Sequence, residues 1–430
     1  MRKILLVAVA VIVIAGLAVL FGAFRTSRVS ADVSQPLTAA QMAELAPRGR
    51  ELALAGDCFG CHSTATGPMA AGGVPIATPF GTLYSSNITP DPTFGIGGYT
   101  RAEFHRAIRD GVGRGNRNLY PAMPFVFTQV TTPEDVDALY AYIMSLPPIA
   151  RQTPANTGVF VLPVRMFMNF WDLLNFPVRT APHDPARSAA WNRGAYLVEG
   201  LGHCGACHTP MNVMMAPDFS KSLEGAVIEG LEAPALTPAA LAARGFDLAT
   251  LTGFLATGIA PQGTAYGGMY TVTHFSTSAM ERSDVEAIAT YLLTAADGSL
   301  PPERTPPAPA PAPAAPGPEA PLPPGRIVYA GACAGCHGMA GEGIPNVAPA
   351  MKGNSTIALA DPLNLLSVIV NGIPTQRFTG NQRMYAMPPF AHDLSDAQIA
   401  DLATWLRTEW GGQAEPVSVD RVAAIARAVD

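Results

Sequence analysis

A five-residue pattern, first seen as "CFGCH" at Cys58–His62, occurs three times in this chain and determines its predicted fold. The second copy is "CGACH", Cys204–His208, and the third is "CAGCH", Cys333–His337. Together the three copies use all six cysteines of the sequence. Two cysteines three positions apart fit on one helical turn, and a histidine follows the second cysteine directly each time. The sequence is therefore organised around a repeated unit of two thiols and one imidazole.

Three kinds of site could use two cysteines followed directly by a histidine: a zinc site, a redox-active cysteine pair and a haem c attachment site. Zinc sites use about four ligands, and zinc gives no reason for a histidine directly after each second cysteine. A thioredoxin-like redox pair belongs in a βαβ setting, which the flanking sequence does not supply. Covalent attachment of haem c requires this arrangement, because both thiols form thioethers with the haem and the adjacent imidazole coordinates iron. The pattern predicts three covalently bound haem c groups (Fe), attached through Cys58, Cys61, Cys204, Cys207, Cys333 and Cys336 and coordinated by His62, His208 and His337.

A helix is predicted before each motif, and a closing helix is predicted some distance after it. The closing helices have recognisable N-caps at Thr132, Ser283 and Ser395, each followed by apolar residues at helical spacing. A leading helix that carries the motif and packs against a closing helix is the frame of a small cytochrome c domain of class I. The predicted fold class is mainly α, with three tandem class-I cytochrome c domains plus an N-terminal hydrophobic segment.

The domain boundaries follow from these helices and from composition. The predicted segments are a membrane anchor or signal peptide at 1–31, cytochrome c domain 1 at 36–146, a connecting segment at 147–185, cytochrome c domain 2 at 186–296, a Pro-rich linker at 301–324, cytochrome c domain 3 at 325–411 and a C-terminal tail at 412–430. A proline-rich linker is extended and semi-rigid. The third domain is therefore expected to be tethered, and its docking on the rest of the chain stays open.

Composition and charge exclude some functions. The 430 residues include 41 prolines and 41 glycines, which predicts a loop-rich protein of several domains. Charged residues make up 14% of the chain, the net charge is −6, and the sequence pI is about 5.8. These values lack the basic excess of a nucleic-acid-binding protein.

The N-terminus predicts export. Arg2 and Lys3 precede an uninterrupted apolar run from Ile4 to Phe24, and Arg25 follows it. Crossing a bilayer needs about 20 apolar residues, whereas the core of a signal peptide has about 7–15. An uncleaved membrane anchor is favoured, and a long signal peptide cleaved at "VSA", Val29–Ala31, remains the alternative. Both interpretations place the rest of the chain across the membrane from the cytoplasm.

Two loop phrases each place a methionine beside prolines. They are "LYPAMPF", Leu119–Phe125, and "YAMPPF", Tyr385–Phe390. Proline fixes φ, so these loops are held in one shape before any ligand binds. A methionine on the second side of a haem iron completes its coordination, raises its potential and favours electron transfer. Met123 and Met387 are therefore the predicted axial ligands of the first and third haems.

The second domain lacks this phrase and offers Met269 and Met280 as ligands. Met269 follows His208 by 61 positions, the same separation as between His62 and Met123. Met280 lies almost inside the predicted closing helix. Met269 is therefore the predicted ligand of the second haem, with Met280 as the alternative.

The remaining histidines and several methionines are interpreted as packing or surface residues. They are His105, His183, His203, His274, His392, Met166, Met168, Met214 and Met215. The apolar stretch Met166–Phe176 is too short to span a membrane. It is predicted to cover the interface of the first two domains, with a partner or membrane contact as the alternative.

Several stretches resemble the three-haem cytochrome c subunit of bacterial membrane-bound dehydrogenases, a family that serves alcohol, gluconate, sorbitol, fructose, aldehyde and nicotinate-type dehydrogenases. They include "GDCFGCH" and "TPFGTLYSSNITPD" in the first domain, "RGAYLVEGLGHCGACHTP" in the second and "MPPFAHDLSDAQIADLATWLR" in the third. The likeness extends over about residues 36–411. It implies that the three histidines and three methionines named above are the axial ligands. It also implies that Ser85–Asp91 lines the propionate side of the first haem.

The resemblance implies an electron-transfer subunit without a catalytic acid or base of its own. A separate dehydrogenase subunit with a flavin, quinone or molybdenum cofactor would pass single electrons to the haems, and membrane quinone or a terminal oxidase would receive them. The implied location is the periplasmic side of the bacterial cytoplasmic membrane, anchored by residues 4–24. Two other classes stay open: a haem enzyme or ligand sensor with one open iron position, and a freestanding electron shuttle.

Overall fold

The computed structural model describes residues 2–20, 31–303 and 321–426. Parts of three predicted features therefore lie outside the described residues. These parts are the end of the N-terminal apolar run with most of its cleavage site, most of the Pro-rich linker, and the end of the C-terminal tail. The chain forms two compact units, Met1–Ser222 and Leu223–Asp430.

The first unit is mainly helical. Its helices are α1 Arg2–Leu20, α2 Ala39–Ala55, α3 Cys58–His62, α4 Arg101–Asp110, α5 Phe125–Thr128, α6 Pro133–Ser145, α7 Met168–Asn175, α8 Ala189–Glu199 and α9 Gly205–His208. Its strands form two antiparallel hairpins, which pair β1 Pro75–Thr78 with β2 Gly81–Tyr84, and β3 Val112–Gly113 with β4 Arg117–Asn118.

The second unit has the same character. Its helices are α10 Pro238–Ala243, α11 Leu248–Thr257, α12 Gly268–Phe275, α13 Arg282–Leu293, α14 Pro324–Ala332, α15 Ala334–His337, α16 Ser355–Ala358, α17 Leu363–Asn371, α18 Asp396–Trp410 and α19 Val419–Ala426. Its antiparallel hairpins pair β5 Ala226–Ile228 with β6 Leu231–Ala233, β7 Ile259–Ala260 with β8 Gly263–Thr264, and β9 Gln376–Arg377 with β10 Arg383–Met384. The mainly α class predicted from the sequence is confirmed.

Helix α1 covers most of the N-terminal apolar run. Within the residues that the structure describes, no helix meets both the length and the apolarity needed to cross a membrane. The N-terminal hydrophobic segment stays a prediction as a membrane anchor.

Two of the three predicted helix caps are confirmed. The Thr132 hydroxyl accepts a hydrogen bond from the third residue of α6. Ser395 and Gln398 form a reciprocal capping box at the start of α18, in which each side chain accepts from the other's backbone N–H. The predicted cap at Ser283 is wrong, because α13 already begins at Arg282 and no side chain caps it.

Two pairs of helices cross at glycines. A Cβ added to Gly325 in α14 would lie 2.1 Å from the carbonyl oxygen of Asp401 and 2.5 Å from Cβ of Trp405, both in α18. A Cβ added to Gly49 in α2 would lie 1.8 Å from the carbonyl oxygen of Ala138 in α6. The leading and closing helices of the first and third predicted domains therefore approach backbone to backbone, and no larger residue fits at either crossing.

We expect Gly325→Ala to lower the free energy of unfolding by about 2–3 kcal/mol, the upper part of the range for overpacking, because the new methyl group collides with rigid backbone. Gly331 is the matched control: it lies in the same helix, and nothing lies within 4 Å of an added Cβ. Gly331→Ala should raise stability by about 0.5–1 kcal/mol. Hydrogen exchange of α18 across a urea series measures both changes. Equal effects of the two substitutions would contradict the close crossing.

An aromatic cluster joins three parts of the first unit. Its buried members are Phe125, Val126, Phe127, Trp171, Phe176 and Ala216. The ring centroid of Phe125 lies 6.3 Å from that of Trp171 and 5.0 Å from that of Phe176. The cluster thus brings Trp171 and Phe176 of the connecting segment together with residues of the first and second predicted domains, where Met166–Phe176 was predicted to lie. The side chains of Leu173 and Leu174 point away from this cluster and are exposed.

Within the second unit, the third predicted domain packs against residues 226–278. Asn364 in α17 accepts a hydrogen bond from the backbone N–H of Glu232 at 2.7 Å and donates one to the Glu232 carbonyl at 2.8 Å. The backbone N–H of Ser355 donates to the Gln262 carbonyl at 2.8 Å. The third domain is therefore docked, which the sequence of the linker left open.

Candidate haem-binding sites

Each repeated motif forms one short helical turn. Helix α3 contains the whole first motif, and α9 and α15 contain the second and third motifs after their first cysteine. The backbone N–H of His208 donates to the Cys204 carbonyl at 3.0 Å, and that of His337 donates to the Cys333 carbonyl at 3.0 Å. These bonds are the i to i+4 bonds of an α-helix, so the thiols and the imidazole share one turn as predicted.

Backbone carbonyls orient His62 and His337. His62 Nδ1 lies 2.6 Å from the Ser86 carbonyl oxygen, and His337 Nδ1 lies 2.8 Å from the Pro349 carbonyl oxygen. A carbonyl only accepts hydrogen bonds, so each Nδ1 carries the proton and each Nε2 presents a lone pair. This is how metal-binding imidazoles are commonly fixed in proteins. His208 is buried at the corresponding position of the second motif.

Burial keeps these imidazoles neutral. It lowers the pKa of His62 and of His337, and the hydrogen bond from each Nδ1 to its carbonyl opposes this shift only in part. The neutral imidazole is the form that coordinates a metal. Both residues are therefore in the right state to bind iron at neutral pH.

All six cysteines are free of disulfides, and their environment does not favour thiolates. Burial raises the pKa of Cys58 to about 12, that of Cys204 to about 12 and that of Cys333 to about 11. Redox-active pairs depend instead on a cysteine with a lowered pKa. Cys207 and Cys336 are exposed. The third turn thus presents one buried and one exposed thiol, and the second turn presents a half-buried Cys204 beside the exposed Cys207, a donor set that fits covalent attachment at the protein surface.

The loops of Met123 and Met387 are held by backbone hydrogen bonds. Met123 N–H donates to the Tyr120 carbonyl at 2.9 Å, and the half-buried side chain packs against the aromatic cluster. Met387 exchanges two backbone hydrogen bonds of 2.9 Å with Ile373, and its side chain packs against the core that contains Cys333. Both loops are ordered in the way that their prolines predict. The role of each sulfur as an iron ligand stays a prediction.

Met269 and Met280 differ in their surroundings. Met269 is half-buried in the first turn of α12, directly after a glycine pair whose first member, Gly267, has φ of 56°. Met280 is buried in the core before α13. The second motif belongs to the first compact unit and Met269 to the second. The preference for Met269 stays a prediction.

Three of the other histidines have packing partners. His105 is completely buried, and its Nε2 lies 2.8 Å from an oxygen of Asp137. His274 stacks on Tyr270 with ring centroids 5.3 Å apart. His203 Nδ1 lies 2.6 Å from a backbone carbonyl. The contacts of His105 and His274 agree with the packing interpretation. His203 makes the same kind of carbonyl contact as His62 and His337, so its interpretation stays a prediction. Within the described residues, no group of three or more His, Cys, Asp or Glu side chains is arranged to hold a metal ion.

The segment Ser85–Asp91 positions the first histidine through its backbone. Asn87 is buried and donates hydrogen bonds of 2.8 and 3.1 Å to the carbonyls of Ile149 and Arg151. This asparagine ties down the loop whose Ser86 carbonyl meets His62. The sequence did not predict either carbonyl acceptor, because any residue supplies a carbonyl and only the folded loop brings it to the ring.

The cytochrome c family model matches residues 46–147 and 323–410. These ranges contain the first and third motifs with Met123 and Met387. The motif geometry and this match define a cytochrome c protein with covalently bound haem.

Proteins of similar sequence indicate which kind of cytochrome c protein this chain is. The chain is 36% identical over 394 residues to the "Alcohol dehydrogenase (quinone), cytochrome c subunit" of Gluconacetobacter polyoxogenes, which covers 86% of this chain and 81% of that protein. It is 36% identical over 391 residues to the "Gluconate 2-dehydrogenase cytochrome c subunit" of Pantoea cypripedii, with 86% and 87% covered. It is 41% identical over 382 residues to a nicotinate dehydrogenase subunit of Pseudomonas putida, but spans only 31% of that longer protein. The chain belongs to the family of dehydrogenase cytochrome c subunits.

Proposed function

We propose that this chain carries three haem c groups and transfers electrons as a subunit of a membrane-bound dehydrogenase complex. The observation that carries the proposal is the set of three complete cysteine–histidine turns, each matched in sequence by a methionine on a later loop. The relatives are cytochrome subunits named for different dehydrogenases, which supports a shared electron-transfer role rather than a shared substrate.

The residues of the chain would hold and tune the haems. Cysteines of each motif would form the thioethers, with His62, His208 and His337 on one side of the irons and Met123, Met269 and Met387 on the other. When bound, haem c supplies reversible one-electron exchange. The Ser86 and Pro349 carbonyls fix the imidazole orientation in two of the turns. Because both axial positions would be filled by protein, the arrangement favours electron transfer over binding of small molecules.

The proposed electron source is a catalytic subunit with a flavin, quinone or molybdenum cofactor, and the proposed acceptor is membrane quinone or a terminal oxidase. The proposed location is the periplasmic side of the cytoplasmic membrane, with residues 4–24 as anchor. The apolar N-terminal run and its basic flanks support this location. Sequencing the N-terminus of the mature protein after detergent extraction tests it, since a start after Ala31 would replace the anchor by a cleaved signal peptide.

Affinity purification of the tagged chain from detergent-solubilised membranes tests the proposed function. We expect a dehydrogenase subunit to co-purify, together with the substrate-dependent reduction of all haems in the complex. A chain that purifies alone and exchanges electrons with respiratory complexes would be a freestanding shuttle. Carbon monoxide tests the other alternative: fast binding to one reduced haem would show the open iron position of a haem enzyme or sensor, whereas six-coordinate haems should bind it slowly.

A further inference from the structure

Tyr270, the residue after Met269, is held by the third domain. Its hydroxyl donates a hydrogen bond of 3.1 Å to the Arg377 carbonyl and accepts one of 3.0 Å from the Arg377 N–H. Its ring meets that of Phe378 edge to face, with centroids 5.6 Å apart. One side chain of α12 is thus bound at both its hydroxyl and its ring by consecutive residues of the third domain.

Phe378 fills a place that only glycine leaves open. Gly258 ends α11 with φ of 76°, and a Cβ on it would lie 2.6 Å from a ring atom of Phe378. The ring is 9% exposed. The backbone N–H of Phe378 donates to the Gln382 carbonyl at 2.8 Å, which braces the tip of the β9–β10 hairpin. The third domain therefore places the Phe378 ring against Gly258 at the end of α11 and against Tyr270 in α12.

Helix α12 is short and has no capping side chain at its N-terminus, where Tyr266 just before it also contacts the third domain through Thr356 at 3.2 Å. It is eight residues long and starts after Gly267, and no side chain caps its first turn. Isolated helices of this length are not stable in water, so contacts from outside must keep it formed. In its first turn the Tyr270 N–H donates to the Gly267 carbonyl at 3.1 Å, and helix geometry leaves the N–H groups before it without intrahelical partners. The side chain of Tyr270 is the one in this turn that the third domain holds by hydrogen bonds.

We infer that docking of the third domain, through Tyr270 and Phe378, holds Met269 in its position as the ligand of the second haem. This inference rests on the proposed assignment of Met269. Tyr270 is then a positioning residue, and the strength of ligation at the second haem depends on a domain that carries a different haem. The sequence alone does not predict this contact, because Tyr270 and Arg377 are far apart along the chain and the Pro-rich linker lies between them.

Binding of imidazole to the oxidised full-length protein tests the inference, because imidazole replaces an axial methionine only when that methionine detaches. We expect Tyr270→Phe, which removes both hydrogen bonds to Arg377, to tighten imidazole binding at one haem by about tenfold to hundredfold, since each hydrogen bond of ordinary strength corresponds to up to about a tenfold change. Phe378→Ala should act on the same haem. Tyr140→Phe is the matched control, since it also removes a tyrosine hydroxyl, one that donates a hydrogen bond of 3.2 Å to the Tyr99 carbonyl within the first unit. It should leave imidazole binding unchanged.

A Met269→Ala variant separates the two ways in which the idea can fail. If Met269→Ala leaves imidazole binding unchanged at every haem, the ligand assignment itself is wrong. If Met269→Ala tightens binding at one haem while Tyr270→Phe and Phe378→Ala do not, the assignment stands and the positioning role is wrong. If all three substitutions act on the same haem, with the axial methionine signal of that haem weakened in the proton spectrum, the inference is supported.

Discussion

A chain in which Cys204 and Cys207 are both replaced by alanine is expected to carry two covalent haems, one fewer than the three proposed for the natural chain. The second motif forms the same helical turn as the third, with a half-buried Cys204 and an exposed Cys207. Both thioethers of its haem depend on these two cysteines, because the other four belong to the remaining motifs. The intact mass of the purified protein gives the number of haems per chain directly.

The middle motif is the most informative of the three, because the matched parts of the cytochrome c family model lie on either side of it. The corresponding double substitutions in the first and third motifs serve as controls, and each should also leave two haems. Two outcomes would contradict the proposal. One is a natural chain with only two haems, and the other is a Cys204/Cys207 variant that still carries three.

Met387→Ala is expected to lower the midpoint potential of one haem by a few tenths of a volt, within the span of roughly 0.8 V that axial ligands control. A methionine sulfur favours reduced iron, so its loss stabilises the oxidised form. The two backbone hydrogen bonds between Met387 and Ile373 do not depend on the side chain. The loop should therefore keep its shape, and the change in potential should come from the lost ligand. Spectroelectrochemical titration of the full-length protein measures the shift.

Met384 is the matched control for this substitution. It lies three positions earlier, in β10, and is half-buried. Met384→Ala should leave all midpoint potentials unchanged. The reduced Met387→Ala protein should also bind carbon monoxide quickly at one haem, because an axial position is then open. Unchanged potentials in Met387→Ala, or an equal shift in Met384→Ala, would show that the third haem has another ligand.

Local rules of sequence predicted the features that depend on neighbouring residues. The three motif turns, the caps at Thr132 and Ser395 and the ordered loops of Met123 and Met387 all follow from chemistry within a few positions. The start of α13 was predicted wrongly because a local pattern can also occur where the helix does not begin. Ser283 with Glu286 satisfies the local pattern of a cap, but the helix continues two residues further toward its N-terminus, where no capping side chain marks its start.

Features that depend on distant parts of the chain were not predicted. The carbonyls of Ser86 and Pro349 reach the histidine rings only after their loops have folded. Docking of the third domain depends on Asn364 pairing with the Glu232 backbone, across the proline-rich linker. A linker sequence gives the distance that a tethered domain can reach, but it contains no information about the surface on which that domain settles.

The contacts of the third domain also determine which parts of the sequence can vary among related chains. The third domain is held by its own contacts with residues 226–278, so the linker at 301–324 mainly sets the effective concentration of this domain near those residues. Doubling the length of such a loop costs only about 0.6 kcal/mol. We therefore expect related chains to tolerate insertions, deletions and changed composition in the linker. The pairing of Tyr270 with Phe378 should persist among them, because a change in one ring leaves the other without its contact.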